Sequence, residues 1–407
     1  MAIKEANVRL KERVIFHIDV NSAFLSWEAV YRIRHLGAKE DLRQMVSAVG
    51  GDPVTRHGII LAKSIPAKKY RIHAGQSIKE ALEQCPELIL VPPNYALYKR
   101  CSRAFMDILR EYSPVVEPYS IDEAFVDMSG TRYLWGDPVA AAHTIRTRIS
   151  KELGFTVNIG ISSNKLLAKI ASDFTKPDRV HTLFPEEIPD KLWPLDVGDM
   201  LFCGQSTVKR LHRIGIYTIG QLAAADPQML KVHLGKQGIM LWGSAHGTDL
   251  STVMPDPEPN KGYGNSTTVS MDITDAEEAR LVLLTLAEKV GQRLRADDAK
   301  AQVVDISIRD TDLVFTNHQM RLPHPTNITL ELYKYACTLF REMWDGRPIR
   351  HLGIHTSQVI YGACDRQIGL GDDLFREERQ EQMDRTVDRI RHKYGQNAVQ
   401  RAAITEG

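Results

Sequence analysis

Cysteine is scarce and scattered in this chain. The five cysteines among 407 residues (Cys85, Cys101, Cys203, Cys337 and Cys364) are odd in number, far apart and never form a C-x-x-C pair. Neither a disulfide framework nor a zinc site is indicated, and a reducing cytoplasmic setting is expected. Long apolar runs are missing too. No stretch reaches membrane-spanning length, and the segment Met1 to Arg13 is too charged for a secretory leader. Neither sign of charge dominates, since 52 Lys+Arg face 51 Asp+Glu for a net +1. That balance neither demands nor excludes a nucleic-acid partner, because a local basic face can hide within it. Low-complexity segments and internal repeats are absent as well. The chain is long for one core and should divide into roughly two to four domains.

What is present begins with acids. Val14-Ile-Phe-His-Ile-Asp19 is an apolar, β-branched run ending in a carboxylate, and Asp122-Glu123 heads a second such run, Ala124 to Val126. Strands of this kind lying side by side would gather Asp19, Asp122 and Glu123 at one sheet edge. Three convergent carboxylates suit a hard divalent cation such as Mg²⁺, which keeps positions open for water or substrate phosphates. Plainer readings also fit the spacing. Ser120-x-x-Glu123 matches a helix capping box, and an Asp at a strand end is often a solvated turn residue.

Further on, hydrophobic spacing predicts a helix from Ser22 to Leu36, closed by Gly37, and then a small subdomain. In that subdomain Gly58 to Lys63 reads as a strand, Pro66 to Tyr70 opens a helical turn after Ser64, Ser77-Ile-Lys-Glu80 forms a capping box, and Leu88 to Val91 returns as a strand. Helices from Tyr95 to Tyr112 and Pro138 to Leu153, a strand from Thr156 to Ile161 and a helix from Lys165 to Ala171 complete an α+β layer. Residues 190 to 250 read as short helices. The run Met254-Pro-Asp-Pro-Glu-Pro-Asn260 is an extended linker. Beyond it the order is βαββαβ, which folds as a four-stranded sheet with both helices on one face. From Phe375 the chain is highly charged, with Met383, Val387, Ile390 and Tyr394 at helical spacing, so at most a peripheral helix is expected.

Four of these segments together resemble the Y-family (translesion) DNA polymerases, of the bacterial polymerase IV or V catalytic-subunit kind. They are Asp19-Val-Asn-Ser-Ala-Phe24, Tyr119-Ser-Ile-Asp-Glu-Ala-Phe125, Gly160-Ile-Ser-Ser-Asn-Lys-Leu-Leu-Ala-Lys-Ile-Ala171 and Thr175-Lys-Pro177, in the family's order and spacing. The resemblance covers nearly the whole chain. It implies a multidomain α+β right-hand polymerase with palm (1–38 and 92–189), small fingers (39–91), helical helix-hairpin-helix-like thumb (190–253), linker (254–262), C-terminal little finger (263–362) and tail (363–407). By resemblance, Asp19, Asp122 and Glu123, with the Val20 carbonyl, would hold two Mg²⁺ ions, for which Mn²⁺ would substitute. Phe24 falls at the family's steric gate against ribonucleotides. Lys176, Lys68 and the backbone at Ser22 and Ala23 would meet the incoming deoxynucleoside triphosphate. The implied partners are primer-template DNA and, through Gln367 to Phe375, a sliding clamp; the expected state is a monomer.

The chain also departs from the pattern. Ile65 and Lys68 stand where many relatives carry Tyr and Arg, and neither offers the hydrogen bonds of those side chains. Phe202-Cys203-Gly204 keeps only one of the usual glycines of a phosphate-binding hairpin turn. Lys209, Arg210 and Arg213, and on the C-terminal sheet Thr267, Arg309, His318 and Arg321, are candidate contacts to DNA. Gly371 replaces the aromatic of the clamp motif, leaving Leu374 and Phe375 as substitutes. Rival readings are another palm enzyme, such as a nucleotide cyclase, and a catalytically silent DNA-binding scaffold.

Overall fold

The computed structural model describes residues 13–51, 58–362 and 374–405. It forms two compact units that divide between Pro257 and Glu258. No described helix is long and apolar enough to cross a membrane.

The first unit is built on β1 (Ile15–Val20), whose six residues are all buried. The helix α1 (Ala23–His35) follows it, and then β2 (Ser47–Gly50), β3 (Ile60–Lys63), α2 (Ile65–Lys68), α3 (Ile78–Gln84) and β4 (Ile89–Val91) form a small three-stranded layer in the order β3-β2-β4. The helix α4 (Tyr95–Tyr112), β5 (Val116–Pro118), β6 (Glu123–Asp127), α5 (Pro138–Leu153), β7 (Val157–Ser162), α6 (Lys165–Asp173) and β8 (Val180–Thr182) complete the main sheet, ordered β5-β6-β1-β7-β8. Local caps set the helix starts. The side chains of Asn94, Asp137 and Asn164 accept from the amides of Leu97, Ala140 and Leu167, and Gly154 at φ 82° closes α5.

Strand alternation sorts the two faces of this sheet. Phe16, Ile18, Ile159 and Ile161 pack with Phe105 and Leu109 of α4 and Ala142 and Ile145 of α5. Residues Ile15, His17 and Asp19 of β1 lie on the other face, which α6 covers. Contact there is so close that a Cβ on Gly160 would sit 1.9 Å from the Ala168 carbonyl oxygen and 2.4 Å from the Ser172 nitrogen, so only glycine fits.

The capping box expected at Ser77 does not form. Ser77 is the N-cap of α3 but makes no side-chain cap bond, and the Ile78 amide donates to the Gly58 carbonyl instead. Ser64 is the residue that caps, accepting from the Ala67 amide at 3.1 Å. Short helices follow at α7 (Gln205–Arg213), α8 (Ile219–Ala224), α9 (Pro227–Leu234) and α10 (Lys236–Ala245), around Leu211, Leu222, Leu230 and Leu241.

The second unit has the βαββαβ order: β9 (Gly262–Ile273), α11 (Ala276–Ala296), β10 (Ala299–Asp310), β11 (Phe315–Thr326), α12 (Thr329–Met343) and β12 (Ile349–Tyr361), with strands ordered β11-β10-β12-β9. Val304, Ile306, Leu352 and Ile354 face the helices, packing with Leu283, Leu286, Leu332 and Phe340. The register corrects two expected DNA contacts. Thr267 pairs with Leu352 and His318 with Ile306, which puts both on the helix-facing rows, and His318 lies 3.9 Å from Glu342 of α12. Arg309 pairs with His351 and Arg321 with Val303, on the open rows.

The charged tail forms α13 (Leu374–Tyr394), followed by a short turn of helix at Ala402–Thr405. Its seam is not the apolar series. Met383 and Tyr394 are exposed, whereas Asp384 and Arg391 are buried. The Arg295 guanidinium of α11 reaches Asp384 at 3.2 Å and Asp388 at 2.6 Å, and Glu288 takes Arg391 at 3.2 Å and Arg401 at 2.7 Å. Ion pairs, rather than an apolar stripe, dock this helix.

Candidate active site

Asp19, the penultimate residue of β1, lies directly opposite Glu123, which begins β6, so the two carboxylates share one face of the sheet. The Val20 amide donates to the Asp122 carbonyl at 3.0 Å, which holds Asp122 at the same edge. Ser120 belongs to a tight bend rather than a helix cap, its hydroxyl donating to Asp122 Oδ1 at 2.7 Å. Of the sequence alternatives, strand and bend are therefore the ones adopted. Burial pushes Asp19 up to about 6, against the pull of Lys176, and burial also raises Asp122. Buried Asp19 beside half-exposed Asp122 and Glu123 concentrates negative charge at one point, which favours a bound cation.

Two lysines partly answer that charge. Lys169 Nζ, from α6, donates to Glu123 Oε2 at 2.7 Å and lies 3.5 Å from His17 Nε2. The Ser172 hydroxyl donates to the Lys169 carbonyl, so its oxygen accepts from His17 Nδ1–H at 2.8 Å. His17 Nε2 is then a bare acceptor facing Lys169, and burial, which lowers the His17 pKa, keeps the ring neutral. Burial acts to raise Glu123, but the hydrogen bond and charge of Lys169 outweigh it and hold the carboxyl below the usual carboxylate range. With His17 neutral, Lys169 is the partner that carries the charge.

The second lysine, Lys176, is hydrogen-bonded to Asp19 and pairs with Asp173 at 2.8 Å. Burial opposes its charge, yet the two acids raise its pKa to about 12. With Lys176 on Asp19 and Lys169 on Glu123, the three carboxylates do not all approach within 4.8 Å among the described residues.

Two asparagines that sequence reasoning did not single out fix the Lys176 loop. Asn158 Nδ2 donates to the carbonyls of Thr175 at 2.7 Å and Ser172 at 3.0 Å, and its Oδ1 accepts from Asn21 Nδ2 at 3.2 Å. Asn21 Oδ1 in turn accepts from the Asp178 amide at 2.9 Å. The available signal was a polar residue within the otherwise apolar β7 run.

Phe24 emerges on the first turn of α1, partly exposed and stacked on Tyr98. Ser22, just before that turn, is exposed with φ 47°, a left-handed conformation that costs a serine about 1 kcal/mol or more and places the Ser22 and Ala23 amides at the helix start. On α2, Ile65 is 52% exposed and Lys68 is exposed. Lys63, at the end of β3, has its pKa lowered by burial and then by the charge of Lys68, so two ammonium groups are neighbours there. Nothing in the local sequence marks Lys63.

In the helical region, Gly204 is the N-cap of α7, and Phe202 takes φ 64° with its side chain 64% exposed. A residue other than glycine thus occupies a left-handed position in this turn. Lys209 and Arg213 are exposed, while Arg210 is tied to the His233 carbonyl. Gln367 to Leu370 lies outside the described residues. Phe375 is 88% exposed.

Comparison with known proteins places this geometry. Residues 18–173 match the impB/mucB/samB family and residues 260–370 match that family's C-terminal domain. DNA polymerase IV of Clostridium acetobutylicum is 42% identical over 395 residues, 97% of this chain and 98% of the relative. DNA polymerase IV 1 of Bacillus subtilis is 37% identical over 97% of this chain and 93% of its own length. A solved Y-family DNA polymerase chimera of Dbh and Dpo4 superposes with a TM-score of 0.73 at 22% identity, over 86% of this chain and all of the other. On sequence matches that span both units, the chain belongs to the impB/mucB/samB family and is a Y-family, translesion-type DNA polymerase.

Proposed function

We propose that Asp19, Asp122 and Glu123 are the catalytic carboxylates of this polymerase and, with the Val20 carbonyl, hold two Mg²⁺ ions, for which Mn²⁺ substitutes. The observation that carries this reading is the register pair Asp19–Glu123 at the sheet edge, with Asp122 beside it. The donor set fits: it is all hard oxygen, its burial raises Asp19, and an ammonium group stands on Asp19 as a cation would. When bound, the ions supply acidification of the primer 3′-hydroxyl and neutralisation of the triphosphate.

The remaining steps belong to the chain. Lys176 leaves Asp19 for the triphosphate, carrying its charge from the carboxylate to the phosphate oxygens. The Ser22 and Ala23 amides add donors at the start of α1. Lys68, with Lys63 beside it, supplies as two point charges what an arginine fork would supply elsewhere. Phe24 lies under the deoxyribose and excludes a 2′-hydroxyl. Primer-template DNA meets the open face of the C-terminal sheet through Arg309 and Arg321, and Lys209 and Arg213 of α7 also contact its phosphates. Exposed Phe375 is the described part of a clamp-docking segment, and the chain works as a monomer. The small fingers layer leaves little protein to check base-pair shape, which suits low-fidelity extension past damaged bases.

The test is extension of a labelled primer with Mg²⁺, comparing wild type with Asp122→Ala/Glu123→Ala. Extension by the wild type alone, with primer-template binding equal in both, is the expected result. Extension by the variant would remove these carboxylates from catalysis, and binding without extension by either would favour a silent scaffold.

A further inference from the structure

The second unit contains a cluster that the polymerase site does not use. His324 near the end of β11, Glu331 in the first turn of α12 and Glu377 in the first turn of α13 bring one ligand atom each to within 4.8 Å of one another. His324 Nε2 is 3.4 Å from Glu331 Oε1 and 3.8 Å from Glu377 Oε2. Ligand atoms on a tetrahedral ion with bonds of about 2.0–2.1 Å lie about 3.3–3.4 Å apart, so both His324 spacings are already close to that value, and rotation of the two carboxylates, within 4.8 Å of each other, closes the rest.

The surroundings also call for a cation. The three residues line a cavity of about 190 Å³ to which Glu378 adds a carboxylate, while Glu381 on the same wall is answered by Lys300 at 3.4 Å and Arg385 at 2.9 Å. Asn327 lines the same cavity, is only 1% exposed, and its Oδ1 has no hydrogen-bond partner among the described residues. Glu331 Oε2 is likewise buried without a partner. Buried oxygens without a protein partner beside a His-Glu-Glu set are acceptors that a bound hydrated cation would satisfy.

We propose that His324, Glu331 and Glu377 form a second metal site, distinct from the catalytic carboxylates, for a first-row transition dication of the Zn²⁺ class. Imidazole nitrogen with carboxylate oxygen favours such ions over Mg²⁺, whose preference is all-oxygen. Three separate elements supply the ligands, so the ion fastens the start of α13 to β11 and α12.

The test is calorimetric titration of the full chain with Zn²⁺ in millimolar Mg²⁺, which fills the all-oxygen site, alongside Co²⁺ binding followed by visible absorption. Wild type should show a site that His324→Ala and Glu377→Gln each weaken at least about tenfold, with primer extension in Mg²⁺ unchanged. Zinc should raise the melting temperature of wild type and not of Glu377→Gln. Glu377 lies on a partly exposed helix turn, so its variant reports even where His324→Ala folds poorly. Equal Zn²⁺ affinity in wild type and Glu377→Gln, or no Zn²⁺ binding in the presence of Mg²⁺, would reduce the cluster to an ion-pair group and overturn the proposal.

Discussion

The Phe24 ring lies flat on Tyr98, with centroids 4.6 Å apart and planes 9° from parallel, while Tyr95 meets it edge-on at 6.4 Å. Tyr98 is itself fixed, fully buried and donating its hydroxyl to Glu28 at 3.1 Å. Phe24 therefore presents a surface that cannot retreat. Phe24→Ala should raise ribonucleotide incorporation about 100-fold relative to deoxynucleotide, by removing a clash of a few kcal/mol. Single-nucleotide kcat/KM for matched ribo- and deoxynucleoside triphosphates checks this; unchanged discrimination would remove Phe24 from that role.

Asp19 predicts an exchange between stability and activity. Its folded pKa of about 6 lies above the ordinary aspartate value of 3.8, so the stability it contributes is fully present below pH 3.8 and is lost as pH rises through about 6. The loss amounts to about 3 kcal/mol at high pH. Asp19→Asn should therefore melt higher than wild type at pH 8, lose that advantage near pH 4, and fail to extend primers throughout. Thermal melts across this range, with and without Mg²⁺, check it: Mg²⁺ should stabilise wild type at pH 8 and hardly at pH 4.

Asn158→Ala should separate positioning from chemistry. It strips partners from the Thr175 and Ser172 carbonyls at a fully buried position, costing about 2–4 kcal/mol of stability. Because the Lys176 loop loses its tether, KM for the nucleotide should rise more than kcat falls. Equal loss in both would make Asn158 a general stability residue.

How much of this was legible in the sequence depends on whether the cause is local. Helices Tyr95–Tyr112 and Pro138–Leu153 were readable to the residue, because their spacing and end signals lie within them. Asp19 and Glu123 were readable because each adjoins an apolar strand. By contrast, β2, β5 and β8 have only four, three and three residues and exist through pairing with distant strands. The helix Lys236–Ala245 hides behind Gly238 and Gly243; Gly238 sits there because a Cβ would meet the Leu230 carbonyl at 2.4 Å. His318 stands three residues from Arg321 on β11, so plain alternation puts the two on opposite faces, and only the long-range pairings His318–Ile306 and Thr267–Leu352 reveal which face is covered by helices. In the tail, burial follows Asp384 and Arg391 rather than Met383, since Arg295 and Glu288 across the seam demand charge.

That seam makes a prediction of its own. Arg295→Met strands Asp384 and Asp388 against α11 and should cost about 3–5 kcal/mol of docking. Hydrogen exchange of residues 374–394 should accelerate, while the strands of the same unit keep their protection. Unchanged exchange in the helix would show that other contacts hold it.

Gly160→Ala should fail more severely than its single added methyl suggests. The Cβ would lie within 2.4 Å of two α6 backbone atoms, so the helix carrying Lys169 and Ser172 must move. Loss of primer extension with a fall in melting temperature is expected; full activity would mean that α6 can shift without consequence.

The pairing of Asp19 with Glu123 gives the polymerase a parity. Sliding β1 against β6 by one residue would leave a sheet with as many hydrogen bonds, yet Ile18 would oppose Glu123, and Asp19 would point into the hydrophobic side with Phe105 and Ile145. No halfway arrangement of strands keeps partial activity. If these carboxylates hold the metal as proposed, acquiring the native register and acquiring the metal site are one event in this chain, and a misregistered molecule loses that site whole instead of in part.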